Sequence, residues 1–183
     1  EIPLRLVGSE MCIRDRLKCG IEPTSKEYYA LMLGGCIFGG SPFSKLFTNV
    51  REKLSLAYYA SVRTERFKST MFISSGIETD KYQAAYDEIL VQFNKMKSGD
   101  ITDSEVVNSK LYLTNGFNSM KDGLRTMEDY YLSQAIMDNK GEIDDLIEMT
   151  NKVTKEEIVE AFNKVEIDTV YFLKGCASDG GDE

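Results

Sequence analysis

Two β-forming stretches lie almost end to end, at residues 56–67 (LAYYASVRTERF) and 70–77 (TMFISSGI). A third, TVYFL at residues 169–173, returns only near the far end of the chain. The short polar segment between the first two suits a connection between antiparallel neighbours. Nearly everything from residue 79 to the last stretch carries helical spacing. A strand pair, a block of helices and one returning strand predict an α+β fold of two layers, a mainly antiparallel sheet packed against helices.

The helix signals are explicit. Thr24 and Glu27 have the spacing of a capping box ahead of a helix carrying Tyr28, Leu31, Met32 and Cys36. That helix ends at Gly39-Gly40. Ser41 and Pro42 then suit an N-cap and first helical position. Phe43, Leu46, Phe47 and Val50 form one apolar stripe, with Arg51 and Lys53 in the last turn, where cations favour the helix dipole. Thr79 starts a further helix with Tyr82, Ala85, Tyr86 and Ile89 on one side, stopped at residues 98–100. Thr102 with Glu105 and Thr154 with Glu157 repeat the capping-box spacing. The pattern after Thr102 runs to about Met137 with a break near Asp122-Gly123, and a short helix is expected over 143–149.

Composition bounds the function. The chain has 183 residues, 42% hydrophobic and 28% charged, which suits one globular domain. A net charge of −8 argues against nucleic acid as a partner. The longest apolar run, residues 28–38, contains Gly34 and Gly35 and is too short to span a membrane. Four cysteines, Cys12, Cys19, Cys36 and Cys176, show neither metal-knuckle spacing nor a disulfide framework, which suggests a reducing, cytoplasmic setting. Histidine is absent. That excludes a serine–histidine or cysteine–histidine pair, and a histidine-ligated zinc, built from this chain alone. No cofactor or metal ligand is expected within it.

The amino terminus reads as foreign. Residues 6–16, LVGSEMCIRDR, resemble the translation of a transposase adaptor used in preparing sequencing libraries. Residues 1–16 are therefore expected to be non-native, as a fusion scar is, and are set aside from the fold. The ordinary reading is an irregular amino-terminal arm. On the first reading the natural protein began earlier and this chain is a fragment. The single domain is then expected over 17–177, with a mobile Gly/Asp-rich tail at 178–183.

The segment 39–59, GGSPFSKLFTNVREKLSLAYY, resembles the second-domain motif of the pitrilysin/insulinase family of zinc metallopeptidases, which includes the mitochondrial processing peptidases. Gly39-Gly40, Ser44, Leu46-Phe47, Val50 to Lys53 and Leu56 to Tyr58 carry the match. It continues through Ser74-Ser75-Gly76 to Tyr171-Phe172-Leu173. Phe67-Lys68-Ser69, Ile73 to Glu78 and Tyr131 to Gln134 are similar to a bacterial subgroup associated with aminopentanol modification of elongation factor P.

The resemblance implies a clam-shell half and a division of labour. One half of such enzymes holds zinc on an inverted H-x-x-E-H motif. The other supplies an arginine–tyrosine pair, at Arg51 and Tyr58 here. Both are hydrogen-bond donors suited to a substrate backbone or a developing oxyanion. Zinc is expected on a missing domain or on a partner subunit of the same family, with a peptide or unfolded protein as substrate and a heterodimer as one arrangement. The fragment alone is not expected to be catalytic. The alternative implied is a non-catalytic scaffold or partner subunit of the same fold.

Ordinary readings stand beside these. An arginine at a helix end is commonly a dipole partner or surface ion pair. Strand alternation puts Leu56, Tyr58, Ala60 and Val62 on one face, as core, and Tyr59 on the other. Gly39-Gly40 before a helix start could hold a phosphate, but no strand feeds it and the turn reading is preferred. The acidic group Glu142, Asp144, Asp145 and Glu148 lacks EF-hand spacing and reads as a solvated helix face. Tyr130-Tyr131 reads as helix packing.

Overall fold

The structure, a computed structural model, describes residues 10–173. Four strands form one sheet: β1 (Glu10–Lys18), β2 (Ala57–Glu65), β3 (Thr70–Glu78) and β4 (Glu166–Leu173). Their order is β2-β3-β1-β4, every pair antiparallel. The helices are α1 (Glu27–Gly35), α2 (Tyr82–Ser98), α3 (Asp103–Met120), α4 (Leu124–Ile136), α5 (Ile143–Lys152) and α6 (Lys155–Asn163). Two π-helical segments, Cys36–Gly40 and Phe47–Lys53, and a 3₁₀ turn, Thr79–Lys81, complete the chain order. The expected α+β, two-layer antiparallel architecture is the one observed.

The core lies between one face of the sheet and the helices. Ile13, Leu17, Met71, Ile73 and Ile77 project from the sheet into it and are buried. Phe38 sits at its centre, its ring centroid 5.9 Å from those of Phe93 and Phe162. Clusters of this kind supply most of the driving force for folding, at about 1.5–3 kcal/mol per large apolar side chain fully buried.

The amino-terminal segment does not stay outside the fold. Residues 10–16, set aside as foreign, form β1 together with Leu17 and Lys18, and β1 lies between β3 and β4. The reason is that the ladder uses main-chain N–H and C=O groups, which every residue in the segment has. Alternation then sends Ile13, Asp15 and Leu17 inward and Arg14, Arg16 and Lys18 outward. Arg16 and Lys18 pair with Asp168 of β4. Asp15 is the misfit: it is 2% exposed, and its Oδ1 has no hydrogen-bond partner. The tail expected at 178–183 lies outside the described residues.

Helix boundaries follow the local chemistry, with two departures. The boxes at Thr102–Glu105 and Thr154–Glu157 form, each hydroxyl accepting from the backbone N–H three residues on. Gly99 terminates α2 in the left-handed conformation, φ 78°. The box expected at Thr24–Glu27 does not form. Thr24 and Ser25 instead donate their hydroxyls to Glu22, and α1 starts at Glu27 with no side-chain cap. Ser41 is likewise not a side-chain cap: it begins a turn closed by the Ser44 N–H donating to its carbonyl, and its own hydroxyl is buried beside the Cys36 thiol.

Candidate functional site

Arg51 and Tyr58 come together because one short loop joins the elements that carry them. Arg51 lies in the π-helical segment Phe47–Lys53, with its guanidinium 4.5 Å from the centre of the Phe47 ring. The stack orients the side chain without neutralising it. Among the described residues no acid pairs with Arg51, and its place in the last turn suits the helix dipole. The following loop turns sharply. Ser55 adopts φ 49°, a left-handed conformation costly for a residue with a Cβ. The N–H groups of Leu54 and Leu56 close the turn onto the carbonyls of Asn49 and Val50.

Tyr58 departs from the alternation read off the sequence. Ala57 pairs with Ile77, but Tyr59 pairs with Gly76, so a bulge falls at Tyr58. A bulge adds one residue and redirects the side chain it carries. Ala57, Ala60 and Val62 face the core, while Tyr58 and Tyr59 are both exposed, Tyr58 at 54%. Tyr58 is therefore not a core residue. Its hydroxyl donates to Glu78 Oε1 at 3.0 Å. Tyr59 lies across Gly76, where a Cβ would meet its ring at 2.4 Å, and its hydroxyl is 3.0 Å from Cys12 Sγ.

Arg51 and Tyr58 line one open cavity of about 330 Å³, together with Leu56, Glu78 and Lys81. Arg51 also borders a second, of about 290 Å³, whose walls include Phe47, Tyr59 and Tyr112. Lys81 Nζ is 2.9 Å from Glu78 Oε2 and donates to the Ser55 carbonyl at 3.3 Å. The Lys81 ammonium and the Tyr58 hydroxyl hold the Glu78 carboxyl below its usual range, and Glu78 in turn raises Lys81. Glu78 and Lys81 were not singled out from the sequence. Their i, i+3 spacing is readable there, but their proximity to Tyr58 depends on the β2–β3 register and its bulge.

The other candidates resolve structurally. Gly39 packs against β2, where a Cβ would meet Val62 at 2.4 Å, so the glycine pair serves close approach. Asp145 accepts from the Glu142 N–H in a capping box, and Asp144 pairs with Lys121. Tyr130 is buried and donates to the Gly141 carbonyl. Burial pushes the Cys19 thiol up to about 11 and raises Cys36 as well, the opposite of an activated nucleophile. Among the described residues no group of three or more cysteines and acids is arranged to hold a metal ion. With no histidine in the sequence, these residues do not fit a zinc site. None of the described helices is long and apolar enough to cross a membrane.

The same fold recurs among solved structures. The chain is similar to a conserved protein from Enterococcus faecalis V583, 30% identical with a TM-score of 0.85, over 92% of this chain and 40% of that one. It also resembles the peptidase M16 inactive domain from Pseudomonas fluorescens, 18% identical with a TM-score of 0.74, over 86% and 38% of the two chains. These likenesses define the fold, an α+β domain with one antiparallel sheet packed against helices. More narrowly, the chain belongs to the peptidase M16 inactive domain family, whose model matches residues 20–113, just over half of it. Among curated proteins it is 36% identical over 177 residues to the probable inactive metalloprotease YmfF of Bacillus subtilis (strain 168), covering 94% of this chain and 42% of that protein. The chain thus spans about two fifths of the length of these relatives.

Proposed function

We propose that this domain is the substrate-holding half of a zinc-dependent endopeptidase, presenting Arg51 and Tyr58 to a peptide held against a zinc site on another domain or a partner subunit of the same family. The observation that carries this reading is the shared cavity: a guanidinium without an acidic partner among the described residues and a phenol turned out of the core by a bulge line one opening. Arg51 can donate to a peptide carbonyl, and its guanidinium strengthens as a donor when a closing chamber expels water. Tyr58 adds a second polar contact beside it. The ligand class is an extended or unfolded peptide, in keeping with relatives named as proteases, one of them crystallised with a ferredoxin. Cys19 and Cys36 are free thiols, which supports a cytoplasmic setting. Residues 1–16 retain the proposed adaptor origin; the buried, half-satisfied Asp15 supports it, since a central strand rarely places a carboxylate inward.

A second reading is a non-catalytic scaffold or partner subunit of the same fold. It is favoured by the similarity to a relative named as an inactive metalloprotease. The two separate in one experiment on the full-length protein together with its zinc-bearing partner. On the first reading Arg51→Ala and Tyr58→Phe each lower peptide turnover by at least about tenfold. Unchanged turnover in both variants removes the proposed roles and leaves the scaffold.

A further inference from the structure

A chain of polar contacts runs from the loop after Arg51 to the Tyr58 hydroxyl. We infer that Glu78 and Lys81 are positioning residues: together they form a clip that fixes where Arg51 and Tyr58 stand relative to each other. The inference rests on the peptide-holding reading above and adds two residues of the same cavity wall, outside the Arg51–Tyr58 pair.

The clip is continuous. The Ser55 carbonyl accepts from Lys81 Nζ at 3.3 Å. Lys81 Nζ pairs with Glu78 Oε2 at 2.9 Å. The other carboxylate oxygen, Oε1, accepts from the Tyr58 hydroxyl at 3.0 Å. One lysine thus ties the loop after Arg51 to the side chain of Tyr58. Both places need holding. Ser55 sits in a left-handed conformation that its own side chain disfavours. Tyr58 stands on a bulge and is more than half exposed. The 3₁₀ turn Thr79–Lys81 supplies the geometry, carrying the chain from the end of β3 into α2 so that Lys81 folds back over Glu78.

The chemistry suits positioning better than stabilisation. Both members of the pair are more than a third exposed. Exposed pairs contribute little to folding, whereas a small displacement of a binding group lowers turnover steeply. The clip is therefore expected to be visible in kinetics and nearly silent in melting.

The test uses the full-length protein with its zinc-bearing partner, an unstructured peptide that it cleaves, and four variants: Glu78→Ala, Lys81→Met, the double change and Lys81→Arg. Each of the first two is expected to lower kcat about three- to tenfold with KM little altered. The double variant should lose no more than the worse single one, because the two act as a unit. Lys81→Arg, which retains the charge and can reach the same two oxygens, should restore most of the rate. Melting temperatures should stay within about 4 °C of the parent. In parallel, the Glu78 carboxyl, followed by NMR in this chain, should titrate higher in Tyr58→Phe and in Lys81→Met.

Full activity in Glu78→Ala and Lys81→Met, alongside losses in Arg51→Ala and Tyr58→Phe, overturns the clip and leaves the peptide-holding reading standing. Multiplying losses in the double variant, no rescue by arginine, or an unmoved Glu78 titration also overturns it. Unchanged turnover in all of these variants, Arg51→Ala and Tyr58→Phe included, removes the peptide-holding reading itself.

Discussion

Lys45 Nζ lies 2.8 Å from the Glu105 carboxylate, with the Lys45 side chain only 8% exposed. The pair joins the start of the helix that carries Arg51 to the first turn of α3. Burial pushes the Glu105 carboxyl up, but the Lys45 ammonium and the Thr102 N–H outweigh it, so the group is held below its usual 4.5. Its contribution is thus present above the ordinary carboxylate range and is lost as pH falls below about 4.5.

Removing one partner strands the other charge. Glu105→Gln is expected to destabilise the domain by about 2–3 kcal/mol in urea unfolding, somewhat less than fully buried pairs lose. Replacing both residues, as Lys45→Met with Glu105→Leu, should cost less than the single change. A double variant no more stable than Glu105→Gln would contradict this account.

Asp15 carries the opposite linkage. Burial raises its carboxyl from 3.8 to about 6, against a smaller opposing hydrogen bond from the Tyr171 backbone. The folded state therefore binds more protons than the unfolded state between about pH 4 and 6, and stability falls as pH rises through that window. A shift of this size corresponds to about 3 kcal/mol. Asp15→Val should recover roughly that amount at pH 7 and flatten the slope. Equal stability of parent and variant at pH 7 would refute the assignment.

Gly39 admits no side chain without movement of β2, because a Cβ would meet Val62 Cγ2 at 2.4 Å and the Val62 backbone nitrogen at 3.0 Å. Gly39→Ala should cost about 1–3 kcal/mol, the range for overpacked cores, measured by the urea midpoint. Gly116→Ala, with open space at its Cβ, is the control and should be neutral or slightly stabilising.

Metal content separates this domain from a self-sufficient zinc enzyme. The purified chain is expected to carry well under one zinc per molecule by atomic absorption, because its sequence has no histidine. A one-to-one content would require ligands that the described residues do not assemble.

The legible parts of this protein are those set by neighbours in the chain. Thr102 and Thr154 found Glu105 and Glu157 three residues away, so both boxes could be read directly. The break at Asp122-Gly123 and the β2–β3 hairpin are equally local. Thr24 failed the same rule because Glu22, two residues back, competed for its hydroxyl.

By itself the sequence determined the α+β class and the absence of a histidine-based site, and it offered Arg51 and Tyr58 as candidates. Tertiary structure alone decided the rest. Residues 10–18 became an inner strand because an unpaired main-chain edge on β3 and another on β4 needed a partner, whatever side chains it bore. Tyr58 left the core because the hairpin register absorbed one extra residue beside Gly76, a choice made between strands and invisible along either one. Glu78 and Lys81 joined the site for the same reason: their partner lies twenty residues upstream, and only pairing β2 with β3 brings the phenol within reach of the carboxylate.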